Sequence, residues 1–404
     1  MHDWRRNQVA VTAAAFVGFT GFTLVMPFLP LYIRQLGVTD VGDIALWTGL
    51  SLGASPAIAA LVGPLWGRVG DRFGNKLLVQ RSLVSFVLVM SAMAYVTEAW
   101  HLFALRAIQG FFAGYGALTL SMAALSAPPD KVAFAVGTVQ TAHRLGPAIG
   151  PVIGGVLAPL VGLRNAFLVS AACYFVALVL VTALYREPPR ERKAARADLR
   201  TSFGTILTFE NFLLLMLVIF GVQMVDRSFG PVLALYLDEL GYPSDEGAVM
   251  AGILFSVLAL SAAAGNQAAA SLVSRLSPRA VIARAAVLAA TALAVVALAN
   301  NVWLIGACLA VFGLCIGTSM TTAYTAANAV IPREVHSTAF GFLTSAQLIG
   351  VAISPVLAGL VGARSIRAVF VAGVVALVSL AVVVRRVMVD RAPEVEPEPA
   401  VDEA

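Results

Sequence analysis

The sequence predicts an all-α membrane protein in which twelve transmembrane helices form two pseudo-symmetric six-helix bundles. Composition, the sidedness of basic residues and an internal repeat carry that expectation. Of 404 residues, 59% are hydrophobic and only 12% charged, and the mean hydropathy is +0.88, whereas soluble domains run near ~25% charged. An ordinary soluble protein is excluded. At ~20 apolar residues per span plus short connections, the length accommodates about twelve spans and leaves no large aqueous domain.

Apolar runs place the spans at 9–33, 44–66, 77–96, 101–126, 133–160, 165–185, 211–237, 247–270, 281–299, 302–329, 336–361 and 366–388. Alternating the gaps puts Arg5, Arg6, Arg68, Arg72, Lys76, Arg81, Lys131, the basic cluster of residues 185–200, Arg275, Arg279, Arg284, Arg333, Arg385, Arg386 and Arg391 on one side. Arg34, Arg164, Arg364 and Arg367 fall on the other. The positive-inside rule makes the first side cytoplasmic, with both termini inside. The first run is too long for a signal-peptide core and ends in no small-residue cleavage site, so it reads as a retained span. Residues 1–185 then form an N-terminal bundle and 211–389 a C-terminal one. A charged, Pro-containing cytoplasmic linker at 186–210 joins them, and a Pro/Glu-rich tail at 390–404 is disordered.

Shifted by 204 residues, the chain matches itself: Pro27 falls on Pro231, and Gly137, Gly146, Pro151 and Gly155 fall on Gly341, Gly350, Pro355 and Gly359. A shift of 203 aligns Gly110, Gly114 and Pro129 with Gly313, Gly317 and Pro332. Ordered matches along consecutive spans indicate duplication, the architecture of many secondary transporters. The net charge of +5 is scattered between apolar runs, which fits membrane topology rather than nucleic-acid binding. Cys173, Cys308 and Cys315 lie in apolar runs without metal-ligand spacing, so neither a metal nor another cofactor is expected.

Several strings carry the functional signal. GPLWGRVGDRFGNK joins spans two and three, with glycines suited to a tight turn and charges able to pair with helix ends. It resembles the loop signature of the major facilitator superfamily at Gly67, Asp71, Arg72 and Gly74; Asn75 departs from the basic pattern and Lys76 keeps it. Arg106, Gln109 and Gly110 resemble that superfamily's span-four signature, whose arginine the resemblance links to proton coupling. An arginine within a span is costly and calls for a cavity or an acidic partner. Gly137, Gly146, Gly150, Pro151, Gly154 and Gly155 fit the antiporter signature of its drug:proton antiporters, and Gly21, Pro27 and Pro30 resemble a signature of the twelve-span members. Physically, glycines at 146, 150 and 154 make a bare stripe for close helix approach.

Ions deep in spans are Arg106, His143, Arg144 and the adjacent Asp226 and Arg227. Asp226 is the buried acid, and a carboxyl balanced between desolvation and an arginine's field can load and release a proton. It is therefore the expected proton carrier. As chain neighbours in a helix, Asp226 and Arg227 should face apart, leaving Asp226 to pair with Arg144 or Arg106; His143 is a candidate second proton site. Gln109, Gln140 and Gln223, with Phe22, Phe112, Tyr115, Phe220, Tyr324, Asn328 and Gln347, are expected to line a pocket for amphiphilic molecules. The first span has no acid to favour cations. With no GxxxxGK[ST] or HExxH string, neither an ATP-driven pump nor an enzyme is expected. The expectation is a monomeric proton-coupled antiporter of the bacterial inner membrane that exports small amphiphilic compounds or drugs. Alternatives are an exporter of one metabolite, sugar or siderophore, and a facilitative carrier without proton coupling. Partners are then the small-molecule substrate, protons and lipid, with no nucleic acid.

Overall fold

The computed structural model describes residues 3–128, 131–187, 209–242, 244–273, 275–331 and 336–389. Most of the expected linker and all of the expected tail lie outside those residues, as do the side chains of Gly67, Asp71, Arg72 and Gly341. The described residues contain twelve helical spans long and apolar enough to cross a membrane, each where the hydrophobic runs put one.

Three spans are interrupted. The first divides into α1 (Asp3–Leu24) and α2 (Leu29–Gln35). α3 (Val41–Phe73) and α4 (Asn75–Met93) follow. The fourth span divides into α5 (Ala99–Phe111) and α6 (Tyr115–Ser126), and α7 (Val132–Val161) and α8 (Leu163–Leu184) complete the first bundle. In the second bundle, α9 (Phe212–Asp226) ends in a 3-10 turn, Arg227–Phe229, before α10 (Leu233–Glu239). Then come α11 (Ser244–Val273), α12 (Pro278–Leu298), α13 (Val302–Val330), α14 (His336–Gly362) and α15 (Ile366–Val387). Pro27 and Pro231 sit in the two equivalent breaks, since proline supplies no N–H to continue the ladder.

The duplication holds contact by contact. Gly146 packs on Phe16 O and Thr20 N of α1, and Gly350 on Phe220 O and Met224 N of α9, the same positions displaced by 204. Tyr32 Oη donates to Met93 O at 2.6 Å; its counterpart Tyr236 donates to Val296 O at 2.8 Å and Ala299 O at 2.7 Å. Each tyrosine fastens a half-helix to the end of a neighbouring span, where a free carbonyl in hydrocarbon would be costly. Tyr32→Phe is expected to destabilise the protein by about 1 kcal/mol or slightly more, because it leaves the Met93 carbonyl unpaired. A thermal unfolding midpoint unchanged from the parent protein would contradict that role.

The break in span four has no equivalent in α13. Gly114 takes a left-handed conformation with φ 115°, and the carbonyls released there are all claimed. Phe111 O accepts from Trp66 Nε1 at 2.6 Å, Phe112 O from Ser82 Oγ at 2.7 Å and Arg81 Nη2 at 3.0 Å, and Ala113 O from Arg81 Nη2 at 3.2 Å. The Arg81 guanidinium lies 3.5 Å from the centre of the Trp66 ring, so a cation and an indole together cap the end of α5.

Candidate substrate and coupling site

With twelve spans, the start of α1 and the end of α15 share one face, and the turns after α2, α4, α7, α10, α12 and α14 share the far face. In the far half the bundles meet along two seams. On one, Gly49 and Gly53 of α3 back onto Pro355 O and Ala352 O of α14, while Gly359 returns the contact on Ala45 O. On the other, Gly155 of α7 meets Ala248 O of α11, and Gly252 meets Pro151 O. Backbone-to-backbone approach of this kind needs glycine. Across the far face Arg34 Nη2 of α2 also pairs with Asp238 Oδ2 of α10 at 2.7 Å, residues equivalent under the 204-residue repeat.

With about a third of each side chain exposed, that bridge is worth ~0.2–1 kcal/mol. Arg34→Ala or Asp238→Ala is therefore expected to shift the balance between closed and open far faces by a few-fold. Spin labels at Gln35 and Glu239 would read the separation. The Arg34→Asp, Asp238→Arg double variant should restore the parent distribution, and a distribution indifferent to all three variants would show the bridge to be idle.

Toward the terminal face the seams part. Gly137, Gln140, Arg144, Pro151 and Gly155 lie on one face of α7 by helical spacing, and the last two meet α11. A side chain at Gly137 would meet nothing within 4 Å, and Gln140 and Arg144 are exposed. Both therefore stand exposed on the same face of α7 that further along packs against the second bundle.

Asp226 terminates α9 at the break, with 16% of its side chain exposed. Arg227 Nε lies 3.3 Å from Asp226 Oδ2, which corrects the expectation that these neighbours face apart. The α-helical register ends at Asp226, and the 3-10 turn lets the Arg227 side chain curl back. Among the described residues neither Arg106 nor Arg144 forms an ion pair with Asp226. The carboxylate thus sits at the negative end of a half-helix, unfavourable to its charge, beside a guanidinium that favours it.

Arg106 lies inside the first bundle, 1% exposed, rather than reaching out to the surface. Its Nη1 donates to Gln109 Oε1 at 3.0 Å, and no carboxylate of the described residues pairs with it, so of the two expectations, a cavity or an acidic partner, the second is not met among them. Gln109 and Tyr115 are equally enclosed, at 1% and 5% exposure, and so do not line the space between the bundles in this conformation. His143 packs on Phe19 with ring centres 4.4 Å apart, and its Nε2 lies 3.0 Å from Thr119 Oγ1. Phe22 of α1 and Phe220 of α9 are each partly buried. Gln223, 5% exposed, packs against Gly350 and is enclosed like Gln109 and Tyr115 rather than lining the space between the bundles. Tyr324 Oη donates to Gln347 Oε1 at 2.7 Å, joining α13 to α14, and Asn328 is exposed one turn further along α13. Phe112 belongs to the capped break, its ring 6.4 Å from that of Trp66.

The loop signature is described only at its end. Gly74 takes φ 107° against the Glu187 carboxylate, which accepts from Asn75 N at 2.9 Å. Lys76 Nζ donates to Tyr185 O at 2.7 Å and Thr182 O at 3.2 Å, capping α8. The antiporter-type glycines serve two interfaces: Gly146, Gly150 and Gly154 press on α1, and Gly155 on the second bundle.

Sequence reasoning missed Arg81, Trp66, Tyr174 and the Arg34–Asp238 pair. The equal spacing of Arg34 and Asp238 under the repeat was the one signal that could have found any of them. The Major Facilitator Superfamily model matches residues 11–298 and 215–404. The chain is 29% identical over 372 residues to the multidrug resistance protein MdtG of Proteus mirabilis (strain HI4320), covering 91% of this chain and 92% of that protein. It is 34% identical over 263 residues to the multi-drug resistance efflux pump PmrA homolog of Lactococcus lactis subsp. lactis (strain IL1403), 64% of each. A bacterial homolog of the human lysosomal transporter Spinster shares the fold, with TM-score 0.80, 16% identity, and 96% of this chain and 98% of that one covered. The twelve spans, the contact-for-contact repeat and the family match place this chain in the Major Facilitator Superfamily of membrane transporters.

Proposed function

We propose that the protein is a proton-coupled antiporter that exports small amphiphilic compounds, acting as a monomer in a bacterial inner membrane with both termini cytoplasmic. The observation that carries this reading is Asp226: among the described residues it is the one carboxylate within a span away from either face, and it lies at the helix break in span seven beside Arg227. Discontinuous helices at mid-membrane are where transporters place coupling ions and substrates. The names of the multidrug relatives support export of drug-like molecules. Basic residues concentrated on the terminal face support its cytoplasmic placement, so the opening faces the cytoplasm, where substrate loads.

In this cycle protonation of Asp226 from the outside releases its hold on Arg227, and deprotonation toward the cytoplasm re-forms the pair. Each step biases the rocking of the bundles through the break in span seven. Arg144 and Gln140 supply polar contacts to substrate, while Phe22, Phe220, Tyr324, Asn328 and Gln347 supply apolar surface and hydrogen bonds. His143, Arg106, Gln109, Phe112 and Tyr115 support the first bundle around them. The loop residues Gly67, Asp71, Arg72, Gly74 and Lys76 serve the cytoplasmic gate.

Proteoliposomes with a pH-sensitive dye inside test the proposal. Addition of an amphiphilic substrate should drive proton movement, and an imposed pH gradient should drive substrate uphill. The 3.3 Å Asp226–Arg227 pair, if permanent, favours facilitated diffusion instead. Transport indifferent to the imposed gradient would establish that reading and end the antiport one.

A further inference from the structure

We propose that Arg106, Gln109, Tyr115 and Tyr174 enclose a binding site for a small inorganic monoanion of the chloride type, inside the first bundle and apart from the opening between the bundles. The proposal goes beyond the antiport reading and does not require it. Arg106 spends one hydrogen bond on Gln109, and its Nε and Nη2 have no partner. Gln109 Nε2, Tyr115 Oη and Tyr174 Oη are likewise buried and unpartnered. These five atoms lie on α5, α6 and α8, with Tyr174 in electrostatic reach of both Arg106 and Tyr115. Native proteins rarely leave buried polar atoms unsatisfied, so a cluster calls for an occupant.

The chemistry of the cluster selects that occupant. The guanidinium and the amide nitrogen only donate, and the hydroxyls are free to donate, so every orphan atom can point a hydrogen at one acceptor. Guanidinium stays charged, and no carboxylate among the described residues matches it. Water would answer the hydrogen bonds but leave the charge uncompensated in a low-dielectric interior. A negatively charged acceptor answers both. The walls restrict its size: the Phe86 ring lies 5.1 Å from that of Tyr174, the Phe19 ring 5.9 Å from that of Tyr115, and Gly18 lies directly against the Tyr115 hydroxyl end. All four polar side chains are at most 5% exposed, which shuts out an organic anion. Trp66 and Arg81 hold the break just beyond Gln109, and that break is the nearest irregular backbone through which an ion could pass.

The test is thermal unfolding of the purified protein while chloride replaces gluconate at constant ionic strength. The midpoint should rise saturably, by about 3 °C at ten times the dissociation constant, and bromide should substitute. Gln109→Glu places a carboxylate 3 Å from the guanidinium. It should give chloride-free protein the midpoint of the chloride-saturated parent and abolish the response. Tyr174→Phe, which deletes one donor and leaves the charge, should weaken chloride about tenfold. A parent midpoint indifferent to chloride, or a Gln109→Glu protein that responds as the parent does, would overturn the site and leave ordered water as its occupant. Neither result bears on the proton-flux assay, so the two proposals fail separately.

Discussion

Asp226→Asn is expected to reduce pH-gradient-driven export to the level of empty liposomes while leaving exchange of labelled substrate across the membrane intact. The amide keeps the size of the side chain and its ability to accept from Arg227 but can neither load nor release a proton, so the cycle loses its link to the gradient without losing its substrate path. Asp226→Glu, which retains the titratable group one methylene further out, should keep partial coupling. The same geometry makes a second demand: Arg227→Gln should leave Asp226 without its one charged neighbour and shift the pH dependence of export, where loss of a merely structural pair would lower the amount of folded protein at every pH alike. Undiminished uphill export in Asp226→Asn would remove the carrier from the mechanism.

The second large effect divides a single signature into glycines that matter and one that does not. A side chain at Gly154 would overlap the backbone of Leu24, where α1 ends at its break, rather than the end of a flexible side chain. Overpacking costs ~1–3 kcal/mol when side chains can adjust, so Gly154→Val, pressing on backbone, is expected to cost at least about 3 kcal/mol. For a bundle of this size that lowers the unfolding midpoint by roughly 6–12 °C, and export should fall with it. Gly137→Ala meets open space and gains up to ~1 kcal/mol of helix propensity, so it should be neutral or stabilising. Equal damage from the two substitutions would mean that packing on α1 is not what the stripe is for.

The spans were legible because each is long and apolar, a constraint the bilayer imposes on every residue at once. The repeat was legible through glycine and proline, whose backbone requirements leave little freedom to diverge. Its other half, in side chains, was not: Tyr32 and Tyr236 do the same work at equivalent places without any local motif. Arg34 and Asp238 correspond by having opposite charges, which comparison by identity cannot see. Asp226 and Arg227 were expected to point apart because an uninterrupted helix was assumed, and Pro231, already matched to Pro27, marked the break that brings them together. Arg106 was recognised as an interior charge, but its enclosure depends on Tyr174 two spans away, a residue indistinguishable in sequence from any aromatic in an apolar run.

The break in span four stands alone. Span ten, its counterpart, runs unbroken through Gly317 as α13, whereas Gly114 adopts a left-handed kink pinned by an indole and a guanidinium. The duplicated units have therefore diverged in stiffness. When the assembly flexes, deformation will concentrate where Trp66 and Arg81 meet α5, next to the turn between spans two and three, and the later unit will turn more nearly as a stiff lever.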